Sequence, residues 1–185
     1  MEELVMHKGR PLTREYREPR EMAVYDFLDS LGIEYERVDH ESAFTMEECR
    51  RVDDFLAPAV VCKNLFLTDR KKERFFLCLL KDGKKFVTKE ICSQIGVRLS
   101  FASAENMEKY LGLLPGSVSL MGLMNDTGNR VELLVDEDVF DSELFGCHPC
   151  MNTSSIRMKT SDAFGVFLPA THHSLRKVKI ETFEE

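Results

Sequence analysis

Residues 144–158 read LFGCHPCMNTSSIRM, and two chemistries fit them. Cys147 and Cys150 stand at the Cys-x-x-Cys spacing of a redox dithiol. Interleaved with them, His148-Pro149-x-x-Asn152 offers an imidazole and a carboxamide, which suit a site built on hydrogen bonds. The flanking residues discriminate between the two. A thioredoxin-like dithiol follows an apolar strand and opens a helix, whose N-terminus lowers the pKa of the first thiol. Here DSELFG precedes Cys147, and after Cys150 the residues Ile156 and Met158 alternate with polar ones, as in a strand. A zinc site is no better placed, because adjacent ligands converge poorly on one ion and no second ligand pair has suitable spacing. The thiol spacing is read as coincidence, and the imidazole and amide as the candidate functional pair.

Lys63 is the next chemically marked residue. It interrupts an apolar run between Val61-Cys62 and Leu65-Phe66-Leu67. An ammonium there must reach water or meet an anion, since burying it unpaired is costly. A lysine on the solvated face of a half-buried strand satisfies that demand without any function; a bound phosphate or a polarised ester satisfies it with one. Gly116 follows Pro115 in a tight turn. With no side chain, it lets backbone approach a ligand, and nearby N–H groups could stabilise a developing oxyanion. An ordinary Pro-Gly turn has the same letters.

These residues need elements to hold them. Residues 1–17 are polar and read as a flexible N-terminal arm. Pro19 opens a helix with Met22, Tyr25, Leu28 and Leu31 at helical spacing, and Gly32 ends it. IEYERV alternates as a strand. Thr45-Met-Glu-Glu48 spells a capping box, so a helix is expected from Thr45 until Pro58 stops it. VVCKNLFL (60–67) and RFFLCLL (74–80) pair as a hairpin across TDRKKE. Thr88 is read as the cap of a short helix through Ile95, VRLSFA as a strand, and Ser103 as the cap of a helix ended by Gly112. PGSVSLMGL reads as a turn then a strand, and NDTGN turns into the strand RVELLVD. A short helix is expected near 138–145, a strand at SSIRMK, and a last helix capped by Ser161 through Leu168 before SLRKVKI. Strands that pair through turns, interspersed with helices, predict α+β with a mixed, mainly antiparallel sheet, as a single domain over 18–185.

Composition agrees with a globular domain. The 185 residues are 43% hydrophobic and 31% charged, enough for one sizeable core. The longest apolar run, FFLCLL, has strand length, so no membrane partner is expected. The charged first residues lack the apolar stretch of a secretory signal, which points to the cytoplasm. A net charge of −7 weighs against a broad non-specific nucleic-acid binder and against DNA, but not against a local grip on one end of an RNA. Basic residues cluster at Arg70–Lys89 and Arg157–Lys179. The six cysteines are expected to be reduced.

Four stretches taken in order carry more than any of them alone: DHESAFTMEE (39–48), CKNLFLTD (62–69), PGSVSLMGLMND (115–126) and CHPCMNTSS (147–155). In order and spacing the chain resembles the YbaK/prolyl-tRNA-synthetase-associated domain family, over roughly residues 20–180. Within it, the ProX (PrdX/ProXp-ala) branch of freestanding aminoacyl-tRNA deacylases is the most similar. The resemblance implies a barrel-like sheet with flanking helices. It implies metal-independent hydrolysis, without a cofactor, of the ester joining a wrong amino acid to a tRNA, here alanine on proline tRNA. The partner implied is the 3′ aminoacyl end of a mischarged tRNA, with prolyl-tRNA synthetase as a second candidate. The family's site lysine falls on Lys63, its Gly-x-x-x-Pro loop on Gly116 to Leu120, and its His-Pro-x-x-Asn motif on His148 and Asn152. Lys63, Gly116 and His148 are the expected catalytic residues; Asn64, Ser119, Leu120, Asn152 and Ser154 are the expected substrate-binding ones. Leu120 replaces the family's loop proline, which would fix the backbone and withhold an N–H, so the amino-acid preference stays open. The alternatives are a deacylase for cysteine on proline tRNA or for another mischarged tRNA, and a non-catalytic module that binds tRNA or synthetase.

Overall fold

Pro19 sits in the first turn of α1 (Pro19–Ser30), where a missing N–H is harmless and a fixed φ suits the helix. The computed structural model describes residues 3–42 and 46–184, with side chains throughout except at 46–49. α1 buries Met22, Val24, Tyr25 and Leu28. It ends at Gly32, whose φ of +68° is the left-handed conformation glycine adopts without penalty. The other helices are α2 (Met46–Leu56), α3 (Thr88–Ile95) and α4 (Ala104–Leu111). The capping box expected at Thr45–Glu48 rests on Thr45 and on the Glu48 side chain, which lie outside what is described. Ser103 does cap α4, its hydroxyl accepting from the Asn106 N–H at 3.2 Å. Thr88 does not cap α3: the flanking residue is Val87, and no side chain bonds the helix start.

The strands are β1 (Met6–Lys8), β2 (Tyr35–Asp39), β3 (Val60–Asp69), β4 (Phe75–Lys81), β5 (Leu99–Phe101), β6 (Val131–Asp136), β7 (Leu144–Cys147), β8 (Ser154–Lys159) and β9 (Leu175–Val178). They form one mixed sheet in the order β1-β2-β8-β7-β3-β4-β6-β9, with β5 added to β3. Neighbours in β1–β2, β2–β8, β8–β7, β3–β4 and β3–β5 run antiparallel; β7–β3, β4–β6 and β6–β9 run parallel. The sheet is α+β and mainly antiparallel, as the pattern predicts, but it stays open. Its end strands are only 3 and 4 residues long and each pairs with a single neighbour.

β4 explains why FFLCLL reads as an unbroken apolar run. Its alternate residues Phe75, Leu77 and Leu79 enter one core with Tyr25, Phe145 and Phe167. Phe76, Cys78 and Leu80 enter another with Leu67, Ile91 and Leu134 on the opposite face. A strand covered on both faces needs no polar alternation. Each such buried Leu or Phe contributes about 1.5–3 kcal/mol of transfer free energy. A third, smaller cluster, Val38, Val52 and Leu56, fastens α2 onto β2.

Several expectations are corrected by packing. The stretch after Ser119 is a 3-10 turn (Leu120–Asn125), not a strand. Ser119 Oγ accepts from the Met121 N–H at 3.1 Å, and Leu120, Met121 and Leu123 are all buried. Successive buried side chains on a tight turn replace the one-sided alternation a strand would need. The helix expected near 138–145 is a 3-10 turn (Glu137–Asp141) followed by β7. The last helix begins at Thr160, without a Ser161 cap, and comprises α5 (Thr160–Asp162), a π-helical turn (Ala163–Phe167) and α6 (Leu168–Ala170). Pro169 lies within it and cannot donate to the preceding turn, a defect that a wider turn accommodates. The N-terminal stretch read as an arm contributes β1 to the sheet, and Arg17 bridges Asp39 at 2.7 Å and Glu21 at 2.9 Å. Among the described residues no helix is long and apolar enough to cross a membrane.

Candidate active site

β3 is flanked by β4 on one edge from Cys62 to Thr68, but its other edge is covered only at the ends. β7 pairs with Val60 and Val61, and β5 with Leu67 to Asp69. A cleft of about 420 Å³ opens beside Val61, Cys62 and Lys63, with Asp82 and Gly83 after β4 also lining it. Gly116 from the turn before the 3-10 helix, and His148 and Asn152 from the loop joining β7 to β8, line the same cleft. Lys63, Gly116 and the pair His148 and Asn152, from three separate stretches of the sequence, are thus brought together.

Lys63 lies next to the point where β7 leaves β3, which is why a lysine fits inside an apolar run. Its ammonium donates to the Lys84 carbonyl at 3.2 Å and pairs with Glu184 at 2.7 Å and Asp82 at 3.7 Å. The anion that the sequence demanded is supplied, in this state, from the protein itself.

His148 is half-buried. Its Nδ1 lies 3.2 Å from the Ser154 carbonyl and 3.3 Å from Ser155 Oγ. A carbonyl only accepts, so Nδ1 carries the proton and Nε2 keeps a free lone pair. Desolvation holds the imidazole below the usual histidine value; the Ser154 bond opposes this and the nearby His40 adds to it. Ser155 Oγ also lies 3.0 Å from His40 Nε2, linking two imidazoles whose centroids are 6.3 Å apart.

Gly116 has a φ of +86°, so its side-chain-free backbone is required for conformation. A Cβ there would come no nearer than 3.9 Å to Asn152 Nδ2, which leaves space in front of the turn. The Ser117 N–H is committed to the Leu114 carbonyl at 3.0 Å. Among the described residues the Gly116 N–H has no hydrogen-bond partner, and Gly116 lines the cleft, so this amide is one that is available to an oxyanion.

The remaining expected residues lie outside the cleft wall. Ser119 is fully buried and donates to the His148 carbonyl at 2.5 Å, bracing the histidine loop. Leu120 is fully buried in the main core. Ser154 faces inward, donating to Glu21 at 2.9 Å; its neighbour Ser155, on the other face of β8, reaches the histidines. Asn64 points with Cys62 and Phe66 toward the main core, where Nδ2 donates to the Cys62 carbonyl at 3.2 Å and Oδ1 is buried without a partner.

Sequence reasoning missed His40, Arg50, Asp53, Asp82 and Glu184, all of which line the cleft. His40 stood inside a quoted motif without being assigned. Arg50 and Asp53 lie three apart on α2 and so share one face, but only the packing of Val52 and Leu56 on β2 turns that face to the cleft. Nothing local marks Asp82 or Glu184.

Cys147 and Cys150 are both free and buried. Burial pushes the Cys150 thiol up to about 12 and the Cys147 thiol well above its ordinary value, so neither is a ready nucleophile. Among the described residues no group of three His, Cys, Asp or Glu is arranged to hold a metal ion.

Residues 40–164 match the aminoacyl-tRNA editing domain. The chain is 33% identical over 141 residues to the prolyl-tRNA editing protein ProX of Acetoanaerobium sticklandii, covering 76% of this chain and 85% of that one. It is 29% identical over 152 residues to the prolyl-tRNA synthetase associated domain-containing protein 1 of Danio rerio, covering 80% and 81%. The fold is shared with a solved structure described as a candidate trans-editing enzyme for prolyl tRNA synthetase. That structure has a TM-score of 0.66 at 17% identity, over 89% of this chain and 99% of the other.

Proposed function

The chain belongs to the aminoacyl-tRNA editing domain family, and from that premise we propose that it removes alanine mischarged onto proline tRNA, acting in trans and without a metal. The observation that carries this reading is the shared cleft of Lys63, Gly116, His148 and Asn152. Its volume, about 420 Å³, falls in the range of small-ligand sites, roughly 300–1,000 Å³. An amino acid esterified to a terminal ribose is a ligand of that class.

The ester is already activated, so the protein has to hold it, polarise its carbonyl and admit water. Lys63 supplies positive charge to the terminal phosphate or to the carbonyl oxygen as negative charge develops there. The unpaired Gly116 N–H is a second donor to that oxygen, and such preorganised donors are the largest single source of catalysis in acyl transfer. His148, neutral with a free Nε2, accepts a hydrogen bond from the attacking water or the vicinal ribose hydroxyl. Arg50, which has no ion-pair partner among the described residues, is placed to meet a phosphate upstream.

The test is deacylation of alanyl-, cysteinyl- and prolyl-tRNA of the proline acceptor, followed as surviving ester with and without a chelator. Loss of the alanyl species alone, chelator or not, is the expected result. Loss of the cysteinyl species would move the substrate. Binding without loss of any ester would leave a tRNA-end module in place of an enzyme.

A further inference from the structure

The cleft holds more negative charge than an RNA-end site should. Asp53, Asp82 and Glu184 line it against Lys63 and Arg50. Asp82 and Glu184 share the Lys63 ammonium. Asp53 has no ion pair or hydrogen bond among the described residues, although it is half-buried in the wall. Burial, with Asp82 and then Asp54 nearby, pushes its carboxyl up to about 6, and no cation offsets that. A carboxylate kept in such surroundings is a receptor for positive charge that the protein itself does not provide.

The proposed substrate carries one cation. The α-amine of an aminoacyl ester is an ammonium over much of the neutral range, the ordinary α-amino value being about 7.7–8.0. It sits one carbon from the scissile carbonyl, so it must enter the same cleft as Lys63. Lys63 and Arg50 repel it; Asp53 attracts it.

Resting on the deacylase reading, we infer that Asp53 binds the α-ammonium of the esterified amino acid. The site thereby selects tRNA esters with a free α-amine over N-acylated or deaminated ones. Asp53 and Lys63 then hold opposite poles of one ligand, the ammonium on one side and the phosphate or oxyanion on the other. The arrangement fixes which face of the ester meets Gly116 and His148. It excludes peptidyl-tRNA, whose blocked nitrogen carries no charge, and so would protect elongating chains.

The experiment compares wild type and Asp53→Asn on alanyl-tRNA and on lactyl-tRNA, in which a hydroxyl replaces the α-amine. Asp53→Asn should raise KM for the alanyl ester about tenfold or more, the loss expected for a hydrogen bond to a charged group, with kcat changed far less. KM for the lactyl ester should not move. Equal effects on both esters, or none on the alanyl ester, would overturn the inference while leaving the deacylase intact. If wild type hydrolyses neither ester, the proposed reaction is wrong, and binding still decides the role of Asp53. The probe is then amide-linked 3′-alanylamino-adenosine beside its 3′-propionylamino analogue. A wild-type preference for the alanyl probe that Asp53→Asn abolishes supports the contact; no preference sinks it.

Discussion

The Lys63 ammonium lies 2.7 Å from a Glu184 carboxylate oxygen, so the cation inside the cleft is matched by an anion from the segment that follows β9. The pairing is built, because the segment is held by backbone: Lys85 N–H donates to Thr182 O, and Glu184 N–H to Gly83 O, each at 2.9 Å. An incoming phosphate or ester oxygen must displace that carboxylate. Both partners are partly exposed, and pairs of that kind are worth about 0–1 kcal/mol. Glu184→Gln should therefore lower KM for the aminoacyl-tRNA by up to about fivefold, with kcat unchanged. Steady-state deacylation checks this; a fall in kcat instead would mean that Glu184 positions Lys63 for the reaction.

Lys63→Ala removes the charge at the point where β7 parts from β3. The loss expected is about 10²–10³ in kcat, the cost of deleting one preorganised donor to a developing oxyanion. Lys63→Arg should rescue little, since a planar fork cannot reproduce a point ammonium bonded to the Lys84 carbonyl. Single-turnover deacylation with excess enzyme reads the chemical step directly. Thermal unfolding should move little, because the side chain is not in the core.

What could be read in the sequence was set by how local the cause is. β3 and β4 were legible because a hairpin is written in one stretch, and α4 because Ser103 and Gly112 mark its ends. Lys63, Gly116, His148 and Asn152 were found through motifs, and their types alone limited what they could do. Ser154 is the expected binding residue, yet Ser155 is the one that reaches the histidines, because alternation along a strand does not say which face is inward until β8 is packed against Tyr25 and Glu21. Leu120, an expected substrate-binding residue, turns into the core instead, because its place in the motif gives its position in the loop and not its direction. Asp53 and Glu184 are invisible in the sequence: the cleft that gives each its role is assembled from residues far along the chain, Asp82 beside Asp53 and Lys63 beside Glu184.

His148 gives a pH dependence with a definite sign. Its imidazole is held below the ordinary value of about 6.5, first by burial. The neutral form that leaves Nε2 free thus persists to lower pH than in an exposed histidine. After subtraction of spontaneous hydrolysis, kcat should hold as pH falls through 6.5 and decline only further down. The same shift affects stability: below the unfolded-state value the unfolded chain binds more protons, so stability falls as pH drops from 6.5 through the lowered folded value. His148→Asn should remove the kcat inflection and cost about 10²–10⁴ in rate if the imidazole handles a proton. A loss of binding with the inflection intact would assign it to positioning alone.

Asp53 makes the opposite prediction for stability. Its carboxyl is raised from an ordinary 3.8 to about 6, so the folded protein holds that proton more tightly than the unfolded chain does. Above pH 6 the folded state carries an unpartnered charge beside Asp82 and Asp54, which is destabilising. As pH falls from 6 toward 3.8 the folded group takes up its proton and the penalty disappears. Asp53→Asn removes the charge at every pH. At pH 7.5 the variant should be more stable than wild type by on the order of 1 kcal/mol once partial exposure and solvent screening are allowed for, which is read as a higher unfolding temperature. At pH 4.5 most of that gain should be gone. A variant that is more stable yet binds alanyl ester more weakly is the expected signature of a side chain kept for its ligand, since a structural residue would lose stability when replaced. Equal melting temperatures at pH 7.5 would show that water already satisfies the carboxylate, and would remove the electrostatic reason for assigning it an ammonium.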